Sequence, residues 1–193
     1  MQTYGNMANL ISLTDRAPQF DVQCSGDFSE QGLKLHFRVA KPCKIPWSYP
    51  TQDEKFHPFA QWKLWESDVV EIFLQWRLHP DDFSASYLEI NFSPTGAALS
   101  LVIFKPRVSF ATPITHFFKA THNFSLRDDN EIWELEVSGK WPSLIYPQGH
   151  LWGAYHACLG PQPFRDYLGA NIVPGPGPDF HRPQFFLPMA LRS

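Results

Sequence analysis

Cysteine is scarce in this chain. Cys24, Cys43 and Cys158 form an odd, scattered set with no Cys-x-x-Cys pair, which excludes a disulfide-built scaffold and favours reduced thiols. No apolar run approaches the ~20 residues of a membrane helix, so no membrane span is expected. A basic excess is missing as well. With 16 Lys and Arg against 19 Asp and Glu, the net charge is -3, and the phosphate neutralisation that drives nucleic-acid binding has no footprint. Met1 to Asn6 lacks the basic and apolar regions of a secretory signal, so a cytoplasmic location is expected. No long segment holds a 3.6-residue apolar period, which argues against a helical fold. Catalytic signatures are equally sparse: neither a Ser elbow nor a Cys/His nucleophile pair can be placed. The glycine-rich stretch Pro174-Gly175-Pro176-Gly177-Pro178 cannot cradle phosphate, because proline removes the amide donors.

Rings are what the chain has in excess. It carries 17 Phe and 7 Trp, more ring surface than a core of this size requires. Hydrophobic content of 44% excludes general disorder, and 193 residues suit a single domain with a substantial core.

Short alternating segments follow one another along the chain. Strands are expected at Gln19 to Cys24 and at Gly32 to Ala40, where Leu33, Leu35, Phe37 and Val39 alternate with Lys34, His36 and Arg38. Ser25-Gly26-Asp27 reads as a turn between them. Lys41 to Lys63, broken by four prolines, reads as irregular. Further strands are expected at Val69 to Arg77, Tyr87 to Phe92, Ala98 to Phe104, Phe117 to Leu126, Ile132 to Val137 and Leu151 to Cys158. Arg127-Asp128-Asp129-Asn130 supplies one turn, and Trp141 to Ile145 reads as a short helical turn with an early proline. Repeated short strands with turns at such intervals predict an all-β, antiparallel β-sandwich of jelly-roll type. Pro161 to Pro188 holds seven of the 18 prolines together with Phe164, Tyr167, Phe180, Phe185 and Phe186. It reads as a stiff functional loop rather than a strand or a spacer.

The most informative stretch is Trp65-Glu66-Ser67-Asp68-Val69-Val70-Glu71-Ile72-Phe73-Leu74, followed by Tyr87-Leu88-Glu89-Ile90-Asn91-Phe92. Alternation puts Val70, Ile72 and Leu74 on one face and Glu71 and Gln75 on the other. Leu88, Ile90 and Phe92 likewise oppose Tyr87, Glu89 and Asn91. Two neighbouring strands would each present a carboxylate on the face away from the apolar stripe, near Trp65. Carboxylates and a flat ring gathered on one face suit a polar ligand with a flat apolar side, such as a sugar.

This pattern resembles the family 9 carbohydrate-binding modules and the related DOMON-like domains. The resemblance rests on a Trp before D-x-V-E-I-F, a strand ending N-F-S-P-x-G, and a closing F-H-R-P-Q-F-F from Phe180 to Phe186. It runs in order from about Trp62 to Leu191. It implies a non-catalytic domain that holds a small sugar or glycan end between two rings. Trp65 matches the first ring, and Phe180 stands where the second, a Trp in the family, would fall. Glu71 matches a ligand-contacting Glu, while Glu89 falls where some members carry Arg. His156, on the face of Trp152 and Ala154, lies where the family offers a polar side chain. His181 and Arg182 adjoin Phe180 and could reach sugar hydroxyls.

Other readings of the same residues stay open. Glu71 and Glu89 could be the acid and base of a glycosidase, or simply a solvated sheet face. The aromatic 161–188 loop could instead dock a protein partner. No cofactor is expected. The resemblance allows structural calcium at Asp81-Asp82 or Asp128-Asp129, but doubled acids in turns are usually just turns. Haem, bound in some DOMON relatives through Met and His, is disfavoured by the positions of Met7 and Met189.

Overall fold

Alternation of apolar and polar side chains along the longer strands gives each an apolar stripe, and two sheets pair those stripes face to face. The computed structural model describes residues 7–48, 64–105, 109–114, 117–142, 148–175 and 177–192. In chain order the strands are β1 (Ala8–Asn9), β2 (Ile11–Ser12), β3 (Asp21–Ser29), β4 (Gly32–Pro42), β5 (Val69–Arg77), β6 (Tyr87–Phe92), β7 (Ala98–Lys105), β8 (Ser109–Pro113), β9 (Phe118–Arg127), β10 (Asn130–Lys140), β11 (His150–Leu159), β12 (Asp166–Gly169), β13 (Leu187–Pro188) and β14 (Leu191–Arg192). The first sheet runs β1-β3-β4-β10-β9, with β14 beside β3. The second runs β2-β12-β11-β5-β6-β7-β8, with β13 beside β11. Every pairing is antiparallel except that of β14 with β3. The fold is an antiparallel β-sandwich.

The main core lies between the sheets. Leu35, Phe37 and Val39 of β4 and Trp133, Leu135 and Val137 of β10 face Val70, Ile72 and Leu74 of β5 and Leu88, Ile90 and Phe92 of β6. Each of these side chains is buried. The β9–β10 hairpin turns through Asp128 and Asp129, both with positive φ of 50° and 60°. That is the left-handed pair a two-residue hairpin turn requires, and Asp tolerates it.

Three local expectations differ from the structure. Ser25-Gly26-Asp27 lies inside β3, and the turn falls at Glu30 and Gln31 instead. Gly26 is there for close packing, since a Cβ at that position would stand 2.1 Å from the Tyr155 hydroxyl. The 161–188 segment is not wholly loop. Its prolines cluster at the two ends, and the proline-free middle supplies β12, which pairs with β11. The expected irregularity of Lys41 to Lys63 also fails at its start, because β4 extends through Pro42. The rest of that stretch, from 49 onward, and most of the expected turn at Trp141 to Ile145 lie outside the described residues.

The outer face of the second sheet is buried too. Leu64, Val69, Phe73, Tyr87, Leu99, Leu101, Ile103, Ala154, Cys158 and Phe186 form a second apolar cluster there. Strand β5 is consequently covered on both sides, and only Trp76 along it is even half-buried.

Candidate functional site

Cross-strand register assembles the outer face row by row. Glu71 on β5 stands opposite His156 on β11 and Asn91 on β6. One row along, Phe73 stands between Ala154 and Glu89. Glu71 and Glu89 are therefore diagonal neighbours on adjacent strands, within side-chain reach of one another. A single 3-10 turn, Leu64–Glu66, brings Trp65 over this face from one side. The 161–188 segment closes it from the other.

Between them lies a cavity of about 940 Å3. Trp65, Glu71, Glu89, Phe180 and His181 all line it, together with Phe73 and Tyr167. Five of the seven residues singled out from sequence thus converge. Two do not. His156 is 1% exposed and lies beneath Phe180, stacked on its ring at 4.1 Å and 6°. It braces Phe180 rather than facing the cavity. Arg182 points away, with its guanidinium donating to the Pro174 carbonyl and resting 4.6 Å from the Phe185 ring.

Neither carboxylate is solvated, which removes the open-sheet alternative. Glu71 is 2% exposed and Glu89 3%. The Cys158 thiol, 3.9 Å away, is the hydrogen-bond partner of the Glu71 carboxylate among the described residues. Burial raises the Glu71 pKa well above the usual carboxylate value, the charge of Glu89 raises it further, and Arg165 and the thiol only partly oppose them. Glu89 Oε1 accepts from Asn91 Nδ2 at 2.9 Å, and its Oε2 lies 3.9 Å from His181 Nδ1. Burial raises its pKa as well, against the opposing influence of His181 and Asn91. His181 Nδ1 is also hydrogen-bonded to the Tyr87 hydroxyl at 2.7 Å. Burial lowers the His156 pKa to about 3, so that ring is neutral at ordinary pH.

Two residues that the sequence did not single out organise the site. Phe73 shares the Glu71 face by simple alternation, and that signal was legible. Its ring packs edge-on to His156 at 5.4 Å, His181 at 5.5 Å and Phe180 at 6.5 Å, so it forms the floor. Arg165 carried no sequence signal, being one basic residue in a proline-rich stretch. Its buried guanidinium donates to the backbone carbonyls of Trp65 and Glu66 at 2.8 Å each, of Ser67, and of Cys158 at 3.0 Å. It ties the turn bearing Trp65 to β11. Arg77 does a similar service for the closing segment by donating to the carbonyl of buried Pro183.

Of the five rings in the 161–188 segment, Phe164 is exposed, Tyr167, Phe180 and Phe185 are half-buried, and Phe186 is buried. Among the described residues, no group of three or more His, Cys, Asp or Glu side chains is placed to hold a metal ion, and no helix is long and apolar enough to cross a membrane.

No family model and no curated protein matches the sequence. Solved structures do match. A candidate carbohydrate-binding protein from Bacteroides uniformis superposes with a TM-score of 0.66 at 15% identity, over 93% of this chain and 82% of the other. A family 9 carbohydrate-binding module from Caldicellulosiruptor kristjanssonii, in complex with cellotriose, gives 0.59 at 14% identity over 97% and 84%. One from the same organism in complex with glucose gives 0.54 at 14% over 96% and 83%. The fold is that of the family 9 carbohydrate-binding modules. At such identities the sandwich is what is shared, and the cavity has to be read from its own residues.

Proposed function

We propose that the protein is a non-catalytic carbohydrate-binding domain that takes a small sugar or a glycan end into the cavity under the 161–188 segment. The observation that carries this reading is the convergence of Trp65, Phe180, Glu71 and Glu89 on one concave site. A pyranose has apolar C–H faces and a rim of hydroxyls. Rings accept the faces and carboxylates accept the hydroxyl protons. The cavity volume lies within the range of small-molecule sites, roughly 300–1,000 Å3. Solved structures of the same fold in complex with cellotriose and glucose add support.

His156 backs one face of Phe180, which leaves the other face for ligand. Trp65 would supply the opposing ring. Each ring then loses much of its value once the other is gone, because a one-sided stack leaves the second sugar face wet. Trp65→Ala and Phe180→Ala should be non-additive in sugar affinity, with a coupling of roughly 0.5–3 kcal/mol. Calorimetric titration of glucose and cello-oligosaccharides against wild type, both single variants and the double variant measures it. Additive or absent effects on binding would remove the sandwich. Release of reducing ends from oligosaccharides by the unmodified protein, abolished in Glu71→Gln or Glu89→Gln, would move the assignment to a glycosidase.

A further inference from the structure

The two carboxylates on the lining of the cavity are poorly supplied with donors. Glu71 lines the cavity, and its carboxylate has as protein donor only the weak Cys158 thiol at 3.9 Å, among the described residues. Glu89 has one oxygen on Asn91 and the other 3.9 Å from His181, too far for an ordinary hydrogen bond. Asn91, directly across from Glu71, gives its amide to Glu89. Two basic side chains, Arg165 and His181, share the lining. The Arg165 guanidinium is spent on four backbone carbonyls, and His181 Nδ1 is held by the Tyr87 hydroxyl.

Buried carboxylates with so few donors are costly, and a ligand that brings charge and several donors relieves that cost. A hydroxyl brings one proton. An ammonium brings three and a positive charge, and its hydrogen bonds to a carboxylate are roughly twice as strong as neutral ones. The rings of Trp65, Phe73, Tyr167 and Phe180 on the same lining also favour a cation near their faces.

We infer that the cavity selects an amino sugar, a pyranose carrying an ammonium group that pairs with Glu71 and Glu89. This inference rests on the reading of the cavity as a sugar site. Glucosamine, galactosamine and mannosamine are titrated beside glucose, galactose and mannose at pH 6.5. The proteins are wild type, Glu71→Gln, Glu89→Gln and Trp65→Ala, each checked for folding by its melting curve. The expected result is that at least one amino hexose binds about tenfold or more tightly than its neutral parent. Both Gln variants should cut that preference to less than about threefold, whereas Trp65→Ala should weaken both sugars and leave the preference in place. Neutral hexoses binding as well as the amines would overturn the inference and leave the sugar site standing. A preference that survives both Gln substitutions would overturn it too, because the charge would be read elsewhere. If no hexose of either kind binds the folded wild type, the sugar reading falls and takes the inference with it.

Discussion

Glu71 shows how a single residue couples burial to the site. Its carboxyl is held well above its ordinary value of 4.5 by burial first and by Glu89 second. The native state therefore keeps a proton that the unfolded chain gives up above that value, and stability falls as pH climbs through the window between the two. Glu71→Gln, a neutral stand-in for the protonated acid, should match wild type near pH 4 and become progressively more stable than wild type toward pH 8. Melting temperatures of both proteins at pH 4, 6 and 8 give the comparison, and a difference that does not change with pH would mean that Glu71 ionises without cost. His156 works in the opposite direction. Its pKa falls from 6.5 to about 3, so the unfolded chain binds the extra proton, and stability is lost as pH drops below 6.5. At about 1.4 kcal/mol per pKa unit this reaches several kcal/mol by pH 3. His156→Phe should flatten the acid side of the profile while preserving the ring stacked on Phe180.

At the level of elements, the site depends on how a short turn and a proline-rich segment are tied to the second sheet. Three residues of 3-10 turn cannot hold Trp65 by their own hydrogen bonds. Arg165 holds the turn from outside, through the carbonyls of Trp65, Glu66 and Ser67. Lysine keeps the charge but loses the planar fork that reaches several acceptors at once. Arg165→Lys should therefore weaken ligand binding by on the order of tenfold, and should lower the melting temperature through carbonyls left unpaired, each costing about 1–3 kcal/mol. The diagnostic readout is the Trp65 environment: the share of acrylamide quenching that a Trp65→Phe substitution removes should be larger in the Arg165→Lys background than in the Arg165 background. Unchanged quenching with unchanged affinity would show that the turn is held by other contacts. Gly26 sets a packing limit of a different kind. Its α-carbon approaches Tyr155 so closely that a Cβ would overlap the hydroxyl, and Gly26→Ala should destabilise by roughly 1–3 kcal/mol, as overpacking does, measured by denaturant midpoint.

For the whole molecule, the second sheet is shared between two apolar layers. The main core runs from Leu10 to Leu168, and the second cluster packs on the outer face. Removing a ring from the main core should cost far more than removing one from the cavity. Trp133→Ala, at 0% exposure, should lose about 3–5 kcal/mol, against less than half of that for half-buried Trp65→Ala. Ligand should act on the whole sandwich, because binding to the folded state alone stabilises it by about 2.7 kcal/mol at a hundredfold excess over Kd. Urea unfolding with and without saturating sugar, followed by both tryptophan fluorescence and far-UV circular dichroism, tests this. A shift of one probe without the other would mean that the outer layer unfolds separately from the core.

Strand positions were readable in the chain because their cause is local. A period of two over Val69–Arg77 and Tyr87–Phe92 marks both the strands and the shared face of Glu71 and Glu89, and the structure keeps the bounds of both. The ring and carboxylate content of the site was legible for the same reason. What the alternation could not reveal was the fate of the second face. Polar residues at every other position signal solvent when nothing covers them, and here Phe73, Tyr87 and a segment that returns from much later in the chain bury them. Gly26 was misread because a glycine needed for close approach looks the same in sequence as one needed for a turn. Arg165 was missed because its partners are backbone carbonyls, which leave no residue pattern. The inward turn of His156 beneath Phe180 and the outward turn of Arg182 depend on packing between segments far apart in the chain. Only the tertiary structure could decide them.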